Sequence, residues 1–403
     1  MTVFLLIILT ILAVSLLIMA ALWLDLLCGN RIKRPLIQTG EARRVTGKLH
    51  YFTDGRTLFA DMQHAAWAAG DHIYLSFYIF KNDEVGRRLL DVLKQRARAG
   101  VDVRLLVDRF GGRSLRKLKP ELEAAGVSLA FSGRLRFPFT FYFLNRRNHR
   151  KIMVLDERIG YFGGFNVSRD YIGNNAEKGV WHDNHLRIDG AGCHFLQQLF
   201  LIDWQRATGA SLAPQADNTD KPLNEKESLE LVATNGGGAE AQFAARLRAA
   251  RQSIIIGSPY FIPGRTLNTV LLDRLQHGVK ITLILPLKRD HAFVRPAAFT
   301  YLEPLIKRGA HVYYCYQGFY HSKVWLIDER IGYIGTANFD KRSLFWNDEL
   351  LGFTSDPSIC AAIGNQLARD IDSCILFDSR GLQKRSWIER LKTVCCRPFD
   401  NLL

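Results

Sequence analysis

The chain has 403 residues, of which 48% are hydrophobic and 23% charged, and its formal net charge is +15. That balance excludes a disordered chain, and the length gives room for two or three domains with substantial cores. So strong a positive charge points to polyanionic partners: nucleic acid or an anionic membrane surface.

The N-terminus favours the membrane. Met1 to Leu24 carries no charged side chain and is rich in Leu, Ile, Val and Ala. Such a run is long enough to cross the hydrocarbon as a helix, and residues 1–28 are assigned as a transmembrane anchor. Its positive flank lies on the C-terminal side only, at Arg31, Lys33, Arg34, Arg43 and Arg44. The positive-inside rule then makes the protein single-pass with the rest of the chain in the cytoplasm. A cleaved signal peptide fits less well, because no basic residues precede the apolar run and the run is long. Residues 29–48 read as a basic juxtamembrane linker.

Residues 49–212 form a first half. Residues 57–69 show a helical apolar pattern, Ile73 to Phe80 a strand, Gly86 to Ala99 an amphipathic helix and Val101 to Val107 another strand. Strand–helix–strand order is the signature of a parallel sheet. Next, residues 131–148 interleave aromatics with Arg134, Arg136, Arg146 and Arg147. Beside a membrane anchor, such a segment suits rings dipping into the interface and arginines meeting lipid phosphates. In a nucleic-acid protein it would suit base stacking, and a buried aromatic strand would account for some of it.

The first motif follows: His149-Arg150-Lys151, then Asp156, then Gly163-Gly164-Phe165-Asn166. It recurs as His321-Ser322-Lys323, Asp328 and Gly335-Thr336-Ala337-Asn338, so both copies read H-x-K-x4-D-x6-G-(G/T)-x-N. The spacer Asp-Glu-Arg-Ile-Gly-Tyr is itself repeated at 156–161 and 328–333. Alternating apolar residues after each lysine predict a strand, on which His and Lys at i and i+2 share a side. An imidazole can attack phosphorus and a second can protonate the leaving oxygen. Lys151, Lys323, Asn166 and Asn338 are the residue types that hold non-bridging phosphate oxygens, and the small residues at 163–164 and 335–336 would let backbone come close. One copy supplies half of this set, so the two must face each other. Asp156 and Asp328 complete the catalytic motif, but at odd register to the lysines they are expected to face away and buttress the site.

Residues 213–228, rich in Pro, Asn, Asp and Lys, read as the linker to a second half at 229–403. That half echoes the first: a helix over Ala239 to Arg251, a strand over Ile254 to Gly257, a helix over Leu267 to Gln276 and a strand over Val279 to Leu285. The tail from Leu382 places Trp387, Ile388, Leu391 and Val394 at helical spacing, which suits either the membrane surface or packing on the second half. The 7 cysteines are odd in number and fit no zinc spacing, so they read as reduced thiols.

The paired motif resembles that of the phospholipase D (HKD) superfamily. The resemblance implies two similar α/β halves around one shared site and a covalent phosphohistidine mechanism needing no metal or other cofactor. In that superfamily downstream acids orient the histidines, a role carried here to Asp183 and Glu349. Four stretches narrow the likeness to bacterial cardiolipin synthases: Asn148-His149-Arg150-Lys151, the Trp-x-Asp-x-His-x-Arg-Ile-x-Gly run at 181–190, Ser258-Pro-Tyr-Phe-Ile-Pro263, and Gly335-Thr-Ala-Asn-Phe-Asp-x-Arg-Ser343. Two features depart from that family: one N-terminal span where many members have two, and His182 where arginine is expected.

The family implies transfer of a phosphatidyl group from one phosphatidylglycerol to another, with release of glycerol, at the bacterial inner membrane. Phosphatidylglycerol and anionic lipids are then the partners, and nucleic acid is not expected. Alternatives are a phospholipase D or a transferase to another alcohol, a phosphodiesterase nuclease, and a silent membrane scaffold. Between the histidines, flanking Arg147 and Arg150 would disfavour a cation on His149 and suit it as nucleophile, while His321 with Glu349 as partner would suit the proton donor.

Overall fold

The computed structural model describes residues 2–33, 40–210, 228–288, 291–397 and 400. Each half is built on a mixed sheet with the same strand order. In the first half the order is Lys48–Phe52, His185–Asp189, Ile159–Gly163, Ile152–Leu155, His72–Phe77, Asp102–Asp108 and Val127–Ser132. The second half runs Ser228–Asn235, Asp348–Thr354, Ile331–Gly335, Val324–Ile327, Ser253–Gly257, Lys280–Pro286 and His311–Cys315. In both, the last three strands are parallel, as the strand–helix–strand pattern requires, and the others are antiparallel.

The second sheet gains an extra strand at each edge. Arg43–Thr46, expected in a linker, pairs antiparallel with Ser228–Asn235. Cys374–Phe377 pairs with His311–Cys315, which sets Cys315 directly opposite Cys374, and the two form a disulfide. The reading of all cysteines as reduced is thus corrected: residues 59 apart in sequence become cross-strand neighbours only after the sheet forms. The linker expected at 213–228 lies outside the described residues except at Ser228, which already belongs to a strand.

The two sheets share one apolar layer. Ile152, Val154, Phe162 and Leu186 of the first sheet pack in one cluster with Val324, Leu326, Ile334 and Leu350 of the second. The approach is close: a Cβ on Gly352 would lie 2.8 Å from the Phe162 ring. This layer fixes the halves relative to each other. Separate clusters on the outer faces hold the helices of each half, including Gly55–Ala68 and Glu84–Arg98 in the first and Ala239–Ala249 and Gly264–Gln276 in the second.

The N-terminal helix runs Thr2–Lys33, with a mean hydropathy of 3.1 over its most apolar window and none of that window buried. Its last turns touch the body. Leu26 and Gly29 are buried, and Asp25 Oδ1 accepts from Tyr142 N at 2.7 Å. Tyr142 sits in a short helix, Thr140–Asn145, inside the aromatic–arginine segment, so that segment is neither a strand nor wholly a loop. The C-terminal helix Trp387–Cys396 packs on the second half. Cys396 is buried within the second half's outer core, while Trp387, Ile388, Leu391 and Val394 stay exposed.

Candidate active site

Each motif strand starts just after the lysine, at Ile152 and Val324, and not at the histidine as expected. His149, Lys151, His321 and Lys323 therefore sit in the extended lead-in. Those lead-ins are held by the opposite half. Asn148 bridges to Asp348, and His149 N donates to Asp348 O at 2.9 Å. Phe319–Tyr320 pairs with Trp181–His182, and His321 N donates to His182 O at 2.8 Å. Each motif is thus stitched to the segment that carries the other half's acid.

This stitching overturns the expected pairing of acids and histidines. Glu349 does not serve His321: both its oxygens lie 3.0 Å from His149 Nδ1. Asp183 does not serve His149: its Oδ2 lies 2.6 Å from His321 Nδ1. The two acids are the expected residues, but each reaches across to the histidine of the other half. Burial tends to raise both carboxyls. For Asp183, Lys323 and His321 outweigh it and hold the group at about 2. For Glu349, His149, Lys151 and a hydrogen bond from Thr336 Oγ1 at 2.5 Å do the same, again to about 2. Both acids are anions at neutral pH.

Burial lowers the imidazolium pKa of His149, with Glu349 opposing and Lys151 and Lys323 assisting. His321 is pushed down to about 4, by burial and Lys323 against Asp183. The arginines flanking His149 play little part. Arg147 is paired with Asp108, and Arg150 grips Asp203 at 2.6 and 2.7 Å while Nη2 donates to Thr234 O. The flanking-arginine argument for His149 as nucleophile therefore fails, because local sequence charge is spent on distant carboxylates. A different asymmetry replaces it. The Glu349 oxygens can only accept, so His149 Nδ1 carries the ring proton and Nε2 presents its lone pair. At His321 the carboxylate competes with Lys323 Nζ, which lies 2.6 Å from the same Nδ1.

Both lysines are buried, and each Nζ donates to the carbonyl of its own histidine at 2.7 Å. Burial lowers Lys151 to about 7, and Lys323 is lowered for the same reason. Asn166 accepts from Ile79 N and donates to Tyr171 Oη; Asn338 donates to Asp340. Both asparagines line a cavity of about 540 Å3 together with His149 and His321. Desolvation thus weakens the hold of both buried lysines on their protons.

The motif aspartates stand apart from this. Asp156 and Asp328 occupy left-handed turns, with φ of 51° and 52°. Asp156 accepts from the backbone N of Gly70, Asp71 and His72, and Asp328 from Arg251, Gln252 and Ser253, all within 2.9 Å. Rather than facing the cavity, they tie each motif hairpin to the start of the central strand. The small residues after the motif also act differently from expectation. A Cβ on Gly164 would lie 1.8 Å from Asp183 Oδ1, so glycine there makes room for the acid, while Thr336 at the equivalent place hydrogen-bonds Glu349.

Sequence reasoning missed several cavity residues, among them Tyr78, Tyr260, Lys178 and Arg342. Tyr78 stands edge-on to His149 at 5.0 Å between ring centres, and Lys178 lies over Trp181 at 5.1 Å. A signal existed for the tyrosines: each lies just past the C-terminal end of its half's central strand, where α/β sheets bind ligands. His182, the departure from the family pattern, offers the site its carbonyl and turns its ring to Asp370 at 3.5 Å. Among the described residues no cluster of His, Cys, Asp and Glu could hold a metal ion.

Two similar halves with paired H-x-K motifs, whose histidines line one cavity, define a phospholipase D-type enzyme. The solved phosphatidylserine synthase of Haemophilus influenzae shares this fold, with a TM-score of 0.67 over 90% of this chain and 98% of its own at 14% identity. The family described as cardiolipin synthase, PLD-like domain, matches residues 62–199 and 243–371. The minor cardiolipin synthase ClsB of Bacillus subtilis is 39% identical over 83% of this chain and 84% of its own length. The major cardiolipin synthase ClsA of the same organism is 36% identical over 87% and 74%. The chain belongs to the bacterial cardiolipin synthases of the phospholipase D superfamily, and is accordingly a phosphatidyltransferase.

Proposed function

We propose that the enzyme makes cardiolipin from two molecules of phosphatidylglycerol through a phosphatidyl-histidine on His149. The observation that carries this is the pair of histidines on one cavity, each anchored at Nδ1 by the other half's carboxylate. His149 Nε2 attacks phosphorus, the bond to the glycerol oxygen breaks, and His321 delivers a proton to that oxygen. His321 then takes the proton from a hydroxyl of the second phosphatidylglycerol. The freed oxygen attacks phosphorus and the P–N bond breaks, restoring His149. Lys151, Lys323, Asn166 and Asn338 hold the non-bridging oxygens through both steps. The singly specified Nδ1–H tautomer at His149 supports its role as nucleophile.

The apolar N-terminal helix serves as a single-pass anchor, and its one-sided basic flank supports a cytoplasmic catalytic body. Phosphatidylglycerol and the anionic bilayer are the partners; nucleic acid is not. Mass spectrometry of lipids formed by the purified full chain from phosphatidylglycerol tests the reaction. Cardiolipin with free glycerol is expected. Phosphatidic acid alone makes the enzyme a hydrolase, and cleavage of DNA at comparable rates restores the nuclease. Acid-quenched protein given lipid labelled in the phosphatidyl part should carry label on His149, and label on His321 would reverse the roles.

A further inference from the structure

The bridge between Asn148 and Asp348 has two faces. Arg147, His149 and Asn347 face the catalytic cavity, whereas Arg146, Asn148 and Asp348 face a second cavity of about 460 Å3. That alternation is what extended chain imposes. Arg134, Arg136 and Arg206 complete the second cavity's basic wall. Its two carboxylates are already engaged. Asp203 is clasped by buried Arg150 at 2.6 and 2.7 Å and by Asn148 Nδ2 at 2.8 Å, and Asp348 pairs with Arg146 at 3.1 Å. Arg206 donates to Asn235 at 2.9 Å and stands 3.8 Å from Asp203. Arg134 and Arg136 pair with no carboxylate among the described residues, and Arg136 lies 5.8 Å from the centre of the Phe143 ring. Among the described residues the cavity is left with unneutralised guanidinium charge at Arg134 and Arg136, the chemistry that recognises phosphate bidentately.

Its position specifies the source of that phosphate. Phe143 belongs to the short helix Thr140–Asn145, which docks on the last turns of the N-terminal apolar helix through Asp25, Leu26 and Gly29. The cavity therefore opens where the apolar span ends, at the depth of lipid headgroups.

The geometry points to a second lipid site: this cavity binds the phosphate of an anionic phospholipid that is not being turned over. Its occupancy reaches the catalytic site, because Arg146 and Asn148 flank the backbone that holds His149 N on Asp348 O. The site rests on the membrane reading of the N-terminal helix and not on the identity of the reaction.

The test is native mass spectrometry of the full chain in an uncharged detergent, titrated with dioleoyl phosphatidylglycerol. His149→Ala is carried in every sample so that lipid counts are not altered by turnover. The parent should hold one lipid more than the catalytic cavity by itself takes up. Adding Arg134→Gln and Arg136→Gln should remove one, with at least a tenfold loss in its affinity, and leave the catalytic-site lipid as evidence of intact folding. Equal counts and affinities in both chains would overturn the site. Inorganic phosphate that displaces the second lipid as effectively as a short-chain phosphatidylglycerol would make it a soluble-phosphate site and overturn the lipid assignment. Phosphatidylcholine filling the site equally well would overturn the recognition of net negative charge.

Discussion

Replacing Glu349 with glutamine tests the crossed pairing of acids and histidines most directly. The carboxylate is fully buried, lies 3.0 Å from His149 Nδ1 through both oxygens, and accepts from Thr336. Burial would raise its pKa, yet His149, Lys151 and Thr336 bring it from 4.5 to about 2. That net preference for the anion corresponds to about 3 kcal/mol. Glutamine keeps the size and one acceptor but loses the charge that balances positive charge developing on His149. If most of that energy acts in the transition state, kcat falls roughly 100-fold. KM should change little, because Glu349 contacts the histidine and not the phosphate. Steady-state cardiolipin formation in mixed micelles gives kcat and KM, and imidazole NMR titration gives the site affected. With Glu349 gone, the His149 pKa should fall further while His321 is little moved. Asp183→Asn should do the converse, taking His321 below its value of about 4. A Glu349→Gln rate within threefold of wild type, or a shift at His321 with His149 unmoved, would refute the crossed arrangement.

Lys151, lowered to about 7 by burial, should lose its proton above neutrality in the free enzyme, so kcat/KM should fall as pH rises through about 7. The same depressed pKa has a stability consequence. Between about 7 and the unfolded value of 10.5 the unfolded chain binds more protons, so the contribution of Lys151 to stability rises with pH across that window, which Lys151→Met should abolish in urea titrations. Asp183 and Glu349 act at the other end: their stabilisation is present above about pH 4 and lost as pH falls toward 2. Lysines and asparagines occupy the phosphate-holding positions, so EDTA should leave turnover largely intact; complete loss restored by a single divalent ion would sink the metal-free mechanism. Deleting residues 2–30 keeps both halves but removes Asp25 and Gly29 from Tyr142. The truncated chain should sediment less with vesicles and retain activity on detergent-dispersed lipid, and a chain inactive and insoluble in every detergent would make the helix part of the fold.

The sequence alone carried every feature written in short-range spacing. The duplicated motif, the strand and helix periods of both halves and the apolar span each depend on residues a few positions apart. So His149, Lys151, His321 and Lys323 could be placed at one site, while Asp183 and Glu349 were implied as its acids only by the superfamily resemblance. Which acid meets which histidine was beyond it, since the partners are 200 and 138 residues apart. That choice was made by two sheets burying one apolar layer and exchanging backbone hydrogen bonds at His149 and His321. The same packing spent Arg147 and Arg150 on Asp108 and Asp203, turned Arg43–Thr46 from a linker into an edge strand, and set Cys315 opposite Cys374. Charge, thiol state and pairing at a buried site are set by neighbours in space, and in this chain those neighbours come from the other end of the fold.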